Sequence, residues 1–449
     1  MSGKAGHVQS VGVKGEHVKV AFASLIGTAI EWYDFFLYGT AAALVFNKLF
    51  FPQFDPMVGT IVAFATFGIG FIARPFGGLV FGHFGDRIGR KTMLYLTLLI
   101  MGVGTTLVGV LPSYASIGIW APILLVACRL VQGFALGGEW GGAVLMAVEH
   151  APENRRGFYG SWPQLGAPLG LVLGTLVFGY FSRYPEDQFL AWAWRIPFLL
   201  SVILVAVGLF IRMKIAESPA FEKIKAAKKE ARMPVIEAVT KHPKNMLLAM
   251  GVRFAENGLF YVYATFVFAY ATSVLKLPRP MILTAVTIAA AVEVFTIPSF
   301  GLLSDKVGRR PVYMFGAIFS GVWAFPFFWI MGTKDPWLAT LGVTVGLAIG
   351  HAAMYGPQAS FLSEMFSARV RYSGASLGYQ LASIFAGALT PMVSASLLAW
   401  YGGSFLPVAI YMIVLALITV VSLYFASETY KQTIEETFDV SGEVVAPKA

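Results

Sequence analysis

Long apolar stretches recur along this sequence from Val20 to Ala426, and they leave few ways for the chain to fold. A helix needs about 20 apolar residues to cross a hydrocarbon core, where only internally paired backbone is tolerated. Twelve stretches meet that length, at 20–48, 57–82, 92–111, 119–149, 157–181, 192–212, 245–272, 280–303, 311–331, 336–363, 371–400 and 404–426. Several are longer than needed, which implies tilt or extension past the bilayer. The expected fold class is all-α and integral to the membrane. Composition excludes the alternatives. Only 13% of the 449 residues are charged and 57% are apolar, whereas soluble domains hold about 25% charged residues. A soluble two-domain enzyme would lack polar surface, and a disordered chain would lack this apolar content. The single cysteine, Cys128, permits no internal disulfide. The polar segment 1–19 before a long first span does not read as a cleavable signal.

The formal net charge of +9 invites a nucleic-acid reading, and its distribution argues against one. With both termini placed inside, 24 of the 33 lysines and arginines fall on that side and 5 on the other. That asymmetry orients membrane proteins. The expected topology puts both termini in the cytoplasm of a cell (inner) membrane. The longest polar interruption divides the spans six and six. The expected units are an N-terminal segment 1–19, a bundle 20–212, a basic linker 213–244, a second bundle 245–426 and a tail 427–449. The linker's basic face suits anionic headgroups as well as it suits a solvated connector.

A ten-residue pattern occurs twice. Gly82-His-Phe-Gly-Asp86-Arg87-Ile-Gly89-Arg90-Lys91 follows the second span, and Gly301-Leu-Leu-Ser-Asp305-Lys306-Val-Gly308-Arg309-Arg310 follows the eighth. The two aspartates are 219 positions apart. Glu149 and Arg156 after span four likewise mirror Glu364 and Arg371 after span ten, each at an offset of 215. The glycines permit a tight turn, while Asp86 is suited to a helix N-terminus and the basic cluster to carboxylates at other helix ends. Such pairs are expected to latch one conformation and release in another, with Glu149, Glu217 and Glu364 paired to the loop arginines.

These residues resemble the signature loop of the major facilitator superfamily, over the whole chain. Glu31-Trp-Tyr-Asp34-Phe, Ala73-Arg74-Pro75, Arg129-Leu-Val-Gln132-Gly133, Gly137-Gly138-Glu139-Trp140-Gly141-Gly142, Trp194-Arg195-Ile-Pro197-Phe and Glu217-Ser-Pro219-Ala-Phe221 are similar to its metabolite:proton symporter branch. The resemblance implies twelve helices in two pseudo-symmetric six-helix bundles, working by alternating access and driven by the proton gradient. Members of that branch carry shikimate, 2-oxoglutarate, citrate and other carboxylates, or proline and betaine.

Ionisable residues inside a bilayer are costly and normally face a cavity or one another. Glu31, Asp34 and Tyr38 share one face of the first span, as do Gln132 and Glu139 on the fourth, with Arg129 a turn before Gln132. Arg253, Glu256 and Asn257 cluster on the seventh. Arg74 lies twelve residues before Asp86, hence about 18 Å from the turn, and its repeat counterpart is Glu293. Asp34 is the expected protonatable carboxylate and Arg129 its partner, as the resemblance to proton symporters also implies, with Glu31 and Glu139 accessory to them. Arg129 beside Asp34 would favour the charged carboxylate, and an anion on Arg129 would loosen that pair. Arg74 and then Arg253 are the expected grips for a substrate carboxylate, with Gln132, Tyr38, Gln164, Glu256 and Gln358 as further substrate contacts. Arg195 is weighted lower because it opens span six at the outer interface. His351 is read as a hydrogen-bonded structural residue. Glycines at every fourth position, Gly133/Gly137/Gly141 and Gly166/Gly170/Gly174, suit close helix approach.

An embedded enzyme finds no support: there is no HExxH, no GxxxxGK[ST] and no Gly-x-Ser-x-Gly. The Gly68-x-Gly70-x-x-Ala73 string lies inside an apolar span with no strand before it. A channel is disfavoured because the chain contains its own repeat, as many carriers do. The expected function is therefore proton-coupled symport of a small organic acid. Proline or betaine is the runner-up, since the tail is short and lacks heptads. No cofactor, metal or nucleic acid is expected; the partners are solute, protons and lipid, and the acting unit a monomer.

Overall fold

A computed structural model describes residues 15–54, 56–226 and 234–431; the beginning of the expected N-terminal segment, the middle of the linker and the tail from 432 lie outside the described residues. Among the described residues there are twelve helical spans. They are α1 (Glu16–Ala41), α2 (Pro56–Ile88), α3 (Arg90–Val110), α4 (Trp120–His150), α5 (Glu153–Phe181), α6 (Ala193–Met213), α7 (243–274), α8 (Pro280–Val307), α9 (Arg309–Gly332), α10 (Pro336–Glu364), α11 (Arg371–Trp400) and α12 (Leu406–Phe425). Ten are long and apolar enough to cross a membrane by composition. The other two are α2, at 33 residues, and α7, which carries Arg253 and Glu256 and passes into π-helical turns at Val262–Phe266 and Tyr270–Val274. Short helices at Pro219–Ala226 and Pro234–Lys241 flank the middle of the linker.

Local sequence sets the ends of these helices. Proline in the first two positions starts α7, α10 and α12, where its fixed φ fits and its missing N–H costs nothing. Asp335 caps α10 by accepting from the Leu338 N–H at 2.9 Å. The turns between α2 and α3 and between α8 and α9 hinge on Gly89 at φ +122° and Gly308 at φ +111°, where a side chain would be strained.

Packing explains the glycine series. A Cβ on Gly133 or Gly137 would lie 2.2 or 2.0 Å from the carbonyl oxygens of Gly70 and Arg74, so only glycine lets α4 rest on α2. Gly166 and Gly170 admit α1 against α5 in the same way, whereas Gly174 sits farther off and Gly141 faces Tyr372 and Ser376 of α11. Large apolar side chains such as Phe295, Trp329 and Leu176 point outward, as a lipid-facing surface requires.

The two bundles are fastened together at the end that carries the linker, here called the linker face. Asp86 accepts from the backbone N–H groups of Tyr372 (3.3 Å) and Ser373 (2.9 Å) at the start of α11. Asp305 accepts from Gly157 (2.7 Å) and Phe158 (2.8 Å) near the start of α5. Each carboxylate thus caps a helix of the opposite bundle, where free N–H groups and the helix dipole favour an anion.

Candidate functional site

Within the first bundle, Asp34 is fully buried and accepts from Ser201 Oγ (2.6 Å) on α6 and Thr105 Oγ1 (2.9 Å) on α3. Gln132 Nε2 donates to Thr105 (2.9 Å), and Arg129 Nη1 donates to Gln132 Oε1 (3.3 Å). The expected direct pair of Asp34 and Arg129 is not formed; a hydroxyl and an amide stand between them. The guanidinium lies over the rings of Tyr38 (4.4 Å) and Phe35 (4.9 Å), which share its face of the bundle, and this keeps it from the carboxylate. Tyr38 itself is fully buried with its hydroxyl 2.9 Å from Thr66.

Glu31 and Glu139 form a second polar site nearer the linker face. Arg212 binds Glu139 with both terminal nitrogens and also donates to the Leu94 carbonyl (2.7 Å), while Thr97 donates to Glu139 (2.9 Å). Glu31 is completely buried in the field of both Glu139 and Arg212, with the Glu139 carboxylate within hydrogen-bonding reach. Arg212, the last residue of the sixth expected span, is 1% exposed. Gly27 marks its place, since a Cβ there would meet the guanidinium at 1.8 Å.

Between the bundles lies Arg74. Its guanidinium is held over Phe71 (4.0 Å) and Phe35 (4.7 Å) beside the Tyr261 hydroxyl, and no carboxylate pairs with it among the described residues. Phe71 meets Tyr261 of α7 edge to face, with ring centroids 5.8 Å apart. Arg253 and Arg129 lie within the electrostatic reach of Arg74, so three arginine charges converge on this region.

Arg253 is differently placed. It pairs with Glu256 (3.2 Å), donates to the Tyr379 carbonyl (2.7 Å) and to Ser383 Oγ, and covers the Tyr379 ring at 3.1 Å. That ring stacks on Trp140 of α4 with centroids 3.6 Å apart. Trp140 Nε1 donates to Gln164 (2.8 Å), Gln164 to Gln358 (3.4 Å), and Gln358 to Glu256 (2.8 Å). A closed circuit therefore crosses the bundle interface and returns to Arg253. The amides of Gln132, Gln164 and Gln358 are all partnered inside it or beside it. Asn257, grouped with Arg253 in sequence, leaves its Oδ1 without a donor.

At the linker face most of the side chains expected to latch are in contact, with three changes. Glu149 pairs with Arg90 (3.3 Å) and, across the interface, Arg371 (3.1 Å). Glu364 pairs with Arg309 (3.2 Å), which also binds Asp305 (2.6 Å). Arg156 binds Glu153 (3.4 Å), and its carbonyl accepts from Ser360 (2.7 Å). Gly82 allows close approach, since a Cβ there would lie 2.9 Å from Ser373 Cα. Arg87, by contrast, is exposed to solvent and lies outside the latch. Glu217 contacts no arginine as expected of it; it accepts from the Lys91 N–H (3.2 Å) and so caps α3. Glu428 caps α9 likewise through the Arg309 and Arg310 N–H groups (3.0 Å each), so residues assigned to a tail belong to the latch. Ser218 donates to Glu149 as Thr429 does to Glu364. Lys91 and Arg310 reach the carbonyls of Met213 and Tyr424. Arg195 binds the Gly109 and Leu111 carbonyls and closes the end of α3.

Two six-helix bundles with charges buried at mid-depth and a paired latch at one end define a multi-pass membrane transporter, not an enzyme. The Major Facilitator Superfamily profile matches residues 24–387 and 279–446. The chain is 45% identical over 407 residues to the shikimate transporter of Escherichia coli (strain K12), covering 89% of this chain and 92% of that one. It is 35% identical over 447 residues to the proline/betaine transporter of Salmonella typhimurium, covering 97% and 88%. Among solved structures, the proton:xylose symporter XylE bound to 6-bromo-6-deoxy-D-glucose superposes with a TM-score of 0.76 at 17% identity, over 94% of this chain and 98% of that one. This chain belongs to the major facilitator superfamily.

Proposed function

We propose that the protein couples entry of a small organic anion, a shikimate-like acid or a di- or tricarboxylate, to entry of protons across an inner membrane. The observation that carries this reading is the Arg74 guanidinium, buried between aromatic faces beside the Tyr261 hydroxyl and with no carboxylate paired to it among the described residues. A buried cation without a counter-charge is costly, so a site that keeps one is suited to a ligand that supplies the missing charge. A carboxylate matches the planar fork of guanidinium, and the nearby charges of Arg129 and Arg253 favour the same sign. The 45% identical shikimate transporter supports the substrate class.

Asp34 is the proton carrier in this reading, and Glu31 with Glu139 forms an accessory carboxylate pair on one arginine. The chain Asp34–Thr105–Gln132–Arg129 links the carrier to the cationic centre. Anion binding that draws Arg129 forward disturbs the donors around Asp34 and so links the two ligands, as coupling requires. The linker face is cytoplasmic, as its basic surplus indicates, and opening of the latch there releases both. One chain suffices, because both bundles contribute to the one site.

Uptake of labelled shikimate into proteoliposomes under an inward proton gradient tests this. Saturable uptake that collapses with a protonophore and is competed by small carboxylates is the expected result. Uptake competed by proline or betaine and by no carboxylate would assign an osmolyte instead.

A further inference from the structure

The second bundle contains a charge cluster to which none of these roles has been given. His351 ends a π-helical turn, Gly346–His351, in the middle of α10, and is 3% exposed. Such turns interrupt regular helices frequently at functional sites. Glu293 of α8 lies 2.5 Å from its Nδ1, and Glu256 of α7 lies 3.3 Å from its Nε2. Both glutamates are buried.

Donor and acceptor counting decides what this arrangement holds. A neutral imidazole has one N–H donor and one bare nitrogen, and an ionised carboxylate only accepts. Two ionised carboxylates on the two nitrogens would leave one bare nitrogen facing a bare oxygen in a dry site. The contacts close only with one more proton than a neutral histidine and two carboxylates contain. It resides on the imidazole as imidazolium, or on one glutamate as a carboxylic acid donating to the ring. The other groups around the ring do not supply it. From α10, Tyr355 stacks on it at 4.9 Å; from α7, Phe260 packs at 5.1 Å and Arg253 reaches it only through Glu256. The α9 side contributes Tyr313, bonded to Gln358 at 2.7 Å, and the neutral Ser320 beside Gly350. From α11, Tyr379 lies under Arg253.

We propose that Glu256, His351 and Glu293 form a proton-binding site in the second bundle, linked through Glu256 to the anion-gripping Arg253. Glu256 is shared by Arg253, Gln358 and His351. An anion that draws Arg253 away leaves Glu256 with a poorer cationic partner and so strengthens its hold on the shared proton. By reciprocity, a proton at the cluster loosens Glu256 from Arg253 and frees the guanidinium for the anion. The two ligands thereby favour one another, the sign that symport needs. The linkage to an anion rests on the function proposed above; the proton count does not.

Full-length protein with 15N-labelled histidine, reconstituted in lipid vesicles, tests both parts. At pH 7.5 the resonance lost in His351→Gln should show both ring nitrogens protonated, or the infrared spectrum should show a carboxylic-acid band lost in Glu293→Gln or Glu256→Gln. A neutral His351 with no such band overturns the site. Arg253→Gln should raise the pH at which the proton leaves by about one unit, tenfold in affinity; an unmoved midpoint overturns the linkage. Added shikimate should move the wild-type midpoint the same way. If Arg253→Gln moves it and shikimate does not, the linkage stands and the shikimate-like substrate reading falls.

Discussion

The latch at the linker face and the interiors of the bundles follow opposite rules. The latch is repeated almost contact for contact. Asp86 on α11 answers to Asp305 on α5, Arg90–Glu149 to Arg309–Glu364, Ser218 to Thr429, and Glu217 to Glu428. The interiors share no such repetition. The first bundle holds Asp34 among hydroxyls and leaves Arg74 without a carboxylate partner among the described residues, whereas the second compensates Arg253 with Glu256 and places Glu293, the counterpart of Arg74, against His351. Two-fold motion needs equivalent fastenings at both bundles, so repetition survives where the bundles part. Binding one solute and moving protons needs unlike groups, so repetition is lost where the chemistry lies.

The largest expected effect breaks the interior. Asp34→Asn keeps the side chain's size and one acceptor oxygen for Ser201 or Thr105 but removes the proton site, so gradient-driven accumulation should vanish while solute counterflow persists; normal accumulation by this variant would remove Asp34 from the mechanism. Arg74→Gln should lower kcat/KM for uptake about 100-fold, the loss of two charge-assisted contacts of about 1.5 kcal/mol each; an equal loss from its counterpart Glu293→Gln through KM alone would erase the contrast between the bundles. Smaller effects are expected at the latch, and there the two halves should match. Asp86→Asn and Asp305→Asn should each open the linker face by about tenfold in equilibrium, for roughly 1.4 kcal/mol of lost helix-capping. Ser360→Cys, buried where α10 meets Arg156 of the opposite bundle, reads the opening by its labelling rate, against a background in which Cys128 is buried. A tenfold response from one aspartate and none from the other would break the symmetry. Gly89→Ala and Gly308→Ala should each cost about 1–2 kcal/mol through the positive φ, seen as similar falls in Tm.

The latch was legible because its residues recur at a fixed offset in polar turns that interrupt apolar runs. Glu428 was not, because its motif is reduced to Ser427-Glu428-Thr429 at the edge of an apparent tail. The helical spans followed from length and composition, and the glycine series from its spacing. The interior was legible only as charge. Thr105 and Ser201 are lone hydroxyls in apolar helices, and nothing in a linear pattern says which carboxylate they face. Arg212 sits at the very end of an apolar run, and nothing there names Glu139 as its partner or Gly27 of α1 as its neighbour. His351 looks structural alone because its partners arrive from α7 and α8, which are not its neighbours in sequence. Direct pairing of Asp34 with Arg129 failed for a related reason: shared depth does not disclose the hydroxyl and amide standing between them.

The central claim is that solute and proton move together through a site centred on the buried guanidinium of Arg74. Its most direct test is proton entry provoked by the solute. Proteoliposomes containing a pH-sensitive dye, with no imposed gradient, receive shikimate outside. The account predicts prompt internal acidification in the wild type and none in Asp34→Asn or Arg74→Gln. Shikimate entry at the wild-type rate without acidification would contradict it.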